Sequence, residues 1–229
     1  MDISLRLKCI ANQIDLCHSV GDIGTDHGYI PIYLVNQGKC KTAIASDINK
    51  GPVEKARFNI AIQNMENVVT CRLGAGLSIL KPGEVDSVII AGMGGNLIKD
   101  IIEDDLEVFK SMDYAVLQPV QNAEILRKYV LEKGFVIIDE DLCKDEHKYY
   151  EIIKVKFGVH PIKKEDIFYE ISEELIIKHH PLLKEYTNFK IKKYNKILLK
   201  ISEETPLSQK RKVELKIKIQ SLKELLICL

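Results

Sequence analysis

Between residues 20 and 29 the chain reads Val-Gly-Asp-Ile-Gly-Thr-Asp-His-Gly-Tyr, and few folds accommodate such a stretch. An apolar run, Leu16 to Val20, leads into it, and a helically spaced run of Ile30, Leu34 and Val35 leads out. The pattern predicts a strand, a glycine-punctuated turn and a helix. In an open parallel sheet such a turn brings backbone N–H groups and a helix N-terminus to the sheet edge, where nucleotide-like ligands bind. Two carboxylates, Asp22 and Asp26, stand in this turn and restrict which ligand fits.

The rest of the first two thirds alternates in the same way. Ile3, Leu7, Ile10 and Ile14 recur at helical spacing and predict an opening amphipathic helix. Tyr29–Gln37 is expected to be helical and to end at Gly38. A strand from Ala43 to Ser46 should end at Asp47, and Gly51-Pro52 should start the next helix. Val68–Leu73 reads as a strand closed by Gly74-Ala75-Gly76, and Val85–Ala91 as a strongly apolar strand followed by Gly92-Met93-Gly94-Gly95. Tyr114–Leu117 should be a strand stopping at Gln118-Pro119, with a helix from Asn122 to Glu132. Phe135–Ile138 and Tyr149–Phe157 then face each other across a charged loop as an antiparallel pair at the sheet edge. Together these predict an α/β fold: a Rossmann-like, mostly parallel sheet whose last strand is antiparallel, with both faces covered.

Beyond Gly158 the composition changes. Glycine disappears, and residues 158–229 carry 15 Lys and Arg against 10 Asp and Glu, in a chain whose formal charge is zero. Ile191, Tyr194, Leu198 and Ile201 form one seam on a helix that Pro181 can start; Leu215, Ile219, Leu222, Leu226 and Leu229 form another after Thr205-Pro206. Joined through Ser202-Glu203-Glu204, the two helices are expected to lie antiparallel as a coiled-coil hairpin. The reading therefore has two domains, 1–158 and 159–229. Six scattered cysteines without C-x-x-C or metal-ligand spacing suit a reduced, cytoplasmic protein with no metal site. The first residues lack the apolar core of a secretory signal, and no apolar run is long enough to span a bilayer.

Gly21, Gly24 and Gly28 are spaced by three and four, which departs from the G-x-G-x-x-G of a dinucleotide site, and Asp26 would repel a diphosphate. A sulfonium amino acid reverses that logic. S-adenosyl-L-methionine carries a positive sulfur and an ammonium, which carboxylates at the turn can receive. Asp47, ending the second strand, is placed to accept both ribose hydroxyls.

Asp22-x-Gly24-x-Asp26-x-Gly28 resembles motif I of the class I methyltransferases, with Asp26 where a middle glycine is usual. D-I-G-T-D-H-G-Y, A-G-M-G-G and L-Q-P together resemble the bacterial tRNA (adenine-22-N1)-methyltransferase family, across essentially the whole chain. The resemblance implies a Rossmann-like methyltransferase domain followed by a C-terminal coiled coil, S-adenosyl-L-methionine as cofactor and tRNA as partner. It also implies that Asp22, Gly24, Thr25, Asp26, His27 and Gly28 hold the methionine end, and Asp47 with Ile48 the ribose. Gly74, Ala75 and Gly76 would lie against the adenine, although Ala75 offers no side-chain hydrogen bond there. Ala91, Gly92 and Met93 would border the sulfonium.

No N-P-P-Y-type tetrapeptide follows the fourth strand, which fits attack by a ring nitrogen rather than an exocyclic amine. Asp26 is then the candidate to face the target base, with Tyr29 and Gln118 as neighbours; a helix-capping Asp26 is the plainer alternative. Lys190, Lys193, Lys200, Lys210, Arg211 and Lys212 could track RNA phosphates. A monomer is expected, with dimerisation through the coiled coil left open. The rival reading is a non-catalytic nucleic-acid-binding protein that keeps a cofactor-shaped fold.

Overall fold

In the computed structural model, which describes residues 2–158, 160–202 and 205–229, strands and helices alternate through the first of two units, Met1–Lys163. The order is α1 (Leu5–Asn12), β1 (Ser19–Ile23), α2 (Tyr29–Asn36), β2 (Thr42–Asp47), α3 (Lys50–Ile62), β3 (Val69–Leu73) and a 3-10 turn at Gly76–Ile79. Then come β4 (Ser87–Gly94), α4 (Gly95–Asp104), α5 (Leu106–Lys110), β5 (Tyr114–Gln121), α6 (Ala123–Glu132), β6 (Phe135–Asp145) and β7 (Lys148–Phe157). The seven strands form one sheet in the order β3-β2-β1-β4-β5-β7-β6, and only β7 runs antiparallel to its neighbours. The mostly parallel Rossmann-like sheet with an antiparallel last strand is therefore present.

Alternation along the strands sends side chains into two apolar layers. On β4, Val88 and Ile90 join a layer with Ile98, Ile102, Leu126 and Phe135, while Ile89 joins Ile10, Ile32, Leu34 and Ile60 on the other face. Because both layers are filled, the central strands are apolar throughout; all five residues of β1 are buried. After β1 the chain builds β2 and β3 on one side, then crosses back to place β4 on the other. The carboxyl ends of β1 and β4 thus flank the switch point at which open α/β sheets bind ligands.

Several boundaries differ from the sequence reading for local reasons. Leu16 is exposed and β1 begins at Ser19, where His18 and Ser19 donate their N–H groups to the Asp86 carboxylate at 2.6 and 2.9 Å. β4 does not stop at Ala91: it continues to Gly94 through register shifts, and α4 starts at once at Gly95. A Cβ on Gly95 would come within 2.3 Å of the Asn122 carbonyl oxygen, so the close strand-end packing needs glycine there. β5 likewise passes through Pro119. β7 pairs only with Ala115–Leu117, so the missing proline N–H falls where one side of β5 has no strand partner. The expected charged loop after Ile138 is mostly strand, because Leu142 and Cys143 are buried and the Glu140 and Glu151 carboxylates close on the buried Arg127 at 2.8 Å each.

The second unit, Lys164–Leu229, holds α7 (Asp166–Glu170), α8 (Glu173–Ile177), α9 (Leu183–Lys200) and α10 (Pro206–Cys228). Thr205 caps α10 by accepting from the Ser208 N–H at 3.2 Å, ahead of proline at the first turn. Tyr194 of α9 and Leu215, Ile219 and Leu222 of α10 are buried. The expected connection through Glu203-Glu204 lies outside the described residues.

One predicted phosphate contact is corrected here. Lys190 is 5% exposed, pairs with the Glu170 carboxylate at 3.0 Å and donates to the Glu170 carbonyl at 2.7 Å. Its cation is already spent on a buried acid, so it is not a phosphate ligand. Lys193, Lys200 and Lys210 are exposed, Arg211 is exposed and pairs with Glu214 at 3.4 Å, and Lys212 is half-buried.

Candidate active site

Asp22 is the penultimate residue of β1, set between Ala45 of β2 and Ile89 of β4. Beyond Ile23 the chain turns at Gly24, whose φ of +79° favours glycine. The turn is clamped to β2, since the N–H groups of Gly24 and Thr25 both donate to the Ser46 carbonyl at 2.8 Å. The buried Thr25 hydroxyl accepts from the Gly28 N–H at 3.1 Å, and Gly28, at φ +68°, is the residue from which α2 starts. A Cβ on Gly28 would meet the Ala56 Cβ of α3 at 3.3 Å. The loop is therefore held from below by β2 and from the side by α3, independent of any ligand.

Within this frame Asp26 is not a helix cap. Its side chain is 63% exposed and lies 3.2 Å from His27 Nε2 and 3.5 Å from Lys55 Nζ. The His27 ring stacks on the Tyr29 ring, with centroids 4.9 Å apart and planes 8° apart, while the His27 carbonyl is held by Asn59 at 2.9 Å. A cavity of about 350 Å³ opens between these groups, Asp22, Arg6, Thr25, Ala91 and Gly92.

Asp22 itself is 5% exposed, and burial pushes its carboxyl up to about 6; the Thr25 hydroxyl and Arg6 pull it back, and Asp47 adds to the rise. Among the described residues no cation forms an ion pair with it. An acid so placed favours a cationic ligand group. That is the chemistry of an ammonium, and the residues fit a sulfonium amino acid.

The remaining predicted residues divide into two groups. Asp47 ends β2, its carboxylate accepting from the Asn49 N–H at 2.7 Å and its carbonyl from the Gly74 N–H at 3.0 Å; the next residue, Ile48, is exposed. Gly74, Ala75 and Gly76 follow β3, and a Cβ on Gly74 would strike Ile79 at 2.3 Å. These five stand at the ends of β2 and β3 and are not among the residues that line the cavity. Met93 lies over the turn: a Cβ on Gly24 would be 1.9 Å from the Met93 methyl group.

Gln118 is corrected. It is fully buried, its Oε1 accepts from Arg6 Nη1 at 2.8 Å and its Nε2 donates to the Pro119 carbonyl at 2.9 Å. Both ends of the amide are engaged inside the protein, so it does not meet a base directly; it holds Arg6. Arg6 itself was missed, because in the sequence it is one basic residue in an apolar-periodic helix, 112 positions from its partner.

A mostly parallel sheet with an acidic, glycine-turned β1 end and a second carboxylate at the end of β2 defines a class I methyltransferase. A family model described as "Methyltransferase domain" matches residues 3–153. The tRNA (adenine(22)-N(1))-methyltransferase of Bacillus subtilis is 33% identical over 158 residues, 69% of this chain and 66% of that protein. The crystal structure of the B. subtilis methyltransferase TrmK superposes with a TM-score of 0.88 at 26% identity, covering 98% of this chain and 99% of that one. Streptococcus pneumoniae Sp1610, crystallised in complex with S-adenosyl-L-methionine, gives 0.87 at 29% identity, over 98% and 100%. The chain belongs to the tRNA (adenine(22)-N(1))-methyltransferase family.

Proposed function

We propose that the protein transfers a methyl group from S-adenosyl-L-methionine to N1 of an adenine in tRNA, position 22 by likeness to the B. subtilis relative. The observation that carries the chemistry is the buried Asp22 carboxylate, without a cation partner among the described residues, in the wall of a cavity at the switch point. When bound, the cofactor supplies an electrophilic methyl group on a positive sulfur. Asp22 would take its ammonium, Thr25 and the glycine turn its methionine stem, and Asp47 its ribose hydroxyls. Ile48 would lie with Asp47 against the ribose, the Gly74–Gly76 turn against the adenine, and Ala91, Gly92 and Met93 beside the sulfonium.

The target N1 has a free lone pair, so no base is needed to create the nucleophile. A paired adenine must first be unpaired or flipped out. The stacked His27 and Tyr29 rings at the cavity mouth offer such a base an aromatic face. Asp26 stands beside them and stabilises the positive charge that methylation leaves on the ring. Asp26→Ala is expected to slow single-turnover methyl transfer roughly 100-fold, in the range of one lost electrostatic group. Calorimetric cofactor affinity should change by less than about threefold. An unaltered transfer rate would remove Asp26 from the chemistry.

The helical unit, within the 159–229 domain read as a coiled-coil hairpin, would supply phosphate contacts through Lys193, Lys200, Lys210, Arg211 and Lys212, and the enzyme would act as a monomer in the cytoplasm. Lys193→Ala with Lys210→Ala should weaken tRNA binding and flatten the slope of log affinity against log salt by about 1.5. A slope equal to the parent's would place the RNA elsewhere. Incubation with methyl-labelled cofactor and bulk bacterial tRNA tests the activity: label on N1 of one adenine supports it, whereas unlabelled RNA would leave the non-catalytic RNA-binding reading.

A further inference from the structure

Asp26, the acid set to face the base, already has a cation beside it. Lys55 Nζ lies 3.5 Å from its carboxylate, and His27 Nε2 lies 3.2 Å away. Lys55 is brought there by α3, whose next residue, Ala56, packs against Gly28. One turn on, Asn59 donates its side-chain N–H to the His27 carbonyl at 2.9 Å. The loop and the lysine are thus fixed in one frame, yet the pair between them stays wet: the Lys55 side chain is 55% exposed and that of Asp26 63%. An exposed pair of this kind adds little to stability and opens readily. The loop has its own support in the bonds from Gly24 and Thr25 to the Ser46 carbonyl. Nor does Lys55 serve the cofactor. It is not among the residues that line the cavity, and its ammonium would face a ligand with two positive centres.

An ammonium at this distance offsets the very charge that Asp26 is to offer a methylated base. RNA supplies the way out, because a nucleotide entering base-first carries a phosphate on each side of its sugar. We propose that Lys55 exchanges partners when tRNA binds. In the free protein its ammonium screens Asp26. In the complex it moves to a phosphate flanking the target adenine, and the Asp26 carboxylate is left to the base, kept in place by His27. The exchange removes two conflicts at once. Without a cation at the mouth, Asp26 would repel the incoming backbone; with the cation still paired to it, the acid would be neutralised just when the base becomes cationic. A lysine suits such a swing. Its charge is a point on a flexible four-carbon stem, whereas a guanidinium would lock onto the carboxylate through two parallel hydrogen bonds. Phe58, one turn along α3 and 67% exposed, gives the same face an aromatic side chain on which a splayed-out neighbouring base can stack. The exchange rests on the reading of the protein as a tRNA methyltransferase with Asp26 beside the base, and it adds the residue that admits the RNA backbone to that acid.

The test measures tRNA affinity on the full chain with S-adenosyl-L-homocysteine bound, so that no methyl group is transferred. Lys55→Met keeps the stem and removes the charge. It should weaken tRNA binding about three- to tenfold and flatten the slope of log affinity against log salt by about 0.7, the share of one phosphate. A methylphosphonate, which is neutral, is then placed at each phosphate flanking the target adenine in turn. At one of the two positions it should cost the parent about the same three- to tenfold and cost Lys55→Met almost nothing. Asp26→Ala should bind tRNA about two- to fivefold more tightly than the parent, since its lysine is no longer engaged. Lys55→Met binding equal to the parent's, a methylphosphonate penalty equal in both proteins, or no gain in Asp26→Ala overturns the exchange while leaving methyl transfer by the parent standing. A parent that transfers no methyl group to tRNA removes the function and the exchange with it.

Discussion

Asp22→Asn is expected to make the unliganded protein more stable at pH 7.5 and to cost it most of its cofactor affinity. The Asp22 carboxyl is pushed from 3.8 to about 6, chiefly by burial. A raised carboxyl pKa means the folded state holds its proton more tightly than the unfolded chain. Folding is therefore most favoured when Asp22 is protonated, and stability falls as pH rises from about 4 through about 6. Above that window the buried charge costs roughly 3 kcal/mol. Asparagine has nearly the same shape and removes the charge, so chemical denaturation at pH 7.5 should show a gain of about 1–3 kcal/mol that shrinks toward zero near pH 4. The same change removes the counter-charge for the ligand ammonium. Cofactor affinity should fall about 10- to 100-fold, the worth of a charge-assisted hydrogen bond. Parent affinity itself should weaken as pH drops below about 6. An Asp22→Asn protein that is less stable than its parent at pH 7.5, or that binds the cofactor equally well, would show that Asp22 serves the fold rather than the ligand.

How far these features could be read from the sequence depends on the distance over which they are encoded. The β1 turn was legible because its glycines, carboxylates and flanking apolar runs are all local; the positive φ at Gly24 and Gly28 and the burial of Asp22 follow from that pattern. The charged stretch after Ile138 misled for a physical reason. Glu140 looks like a loop residue until Arg127 of α6, equally unexpected in a core, closes on it and on Glu151 of β7. Burial pushes the Arg127 pKa down, but the two carboxylates more than reverse it. Lys190 failed in the same way, since a lysine on a Lys-rich helix reads as solvated unless its buried acid is known. Gln118 and Arg6 make the same point at the site, where a residue read as touching substrate instead holds the residue that lines the cavity. Periodicity finds elements, whereas long-range polar pairs that bury charge have no periodic signal.

Glu170→Gln is expected to be the most damaging single change in the helical unit. Glu170 is 3% exposed and accepts from Tyr194 at 2.5 Å and from Lys218, besides pairing with Lys190. Burial pushes its carboxyl up, but Lys190, Lys218 and the hydrogen bonds outweigh burial and hold it down at about 2. A depressed carboxyl contributes its stability above the unfolded value and loses it as pH falls from about 4.5 toward 2. The parent should therefore shed roughly 3 kcal/mol across that range. Glutamine leaves the buried Lys190 cation unpaired, a loss of about 3–5 kcal/mol at neutral pH. Because α9 and α10 are the chain's longest helices, ellipticity at 222 nm during urea denaturation of the full protein reports the change. Glu170→Leu combined with Lys190→Met should recover much of the loss, since an apolar pair of similar volume removes both buried charges. Lys218, half-exposed, can turn its ammonium to water in that variant. Single variants within about 1 kcal/mol of the parent would mean that the ion cluster is incidental to the packing of these helices.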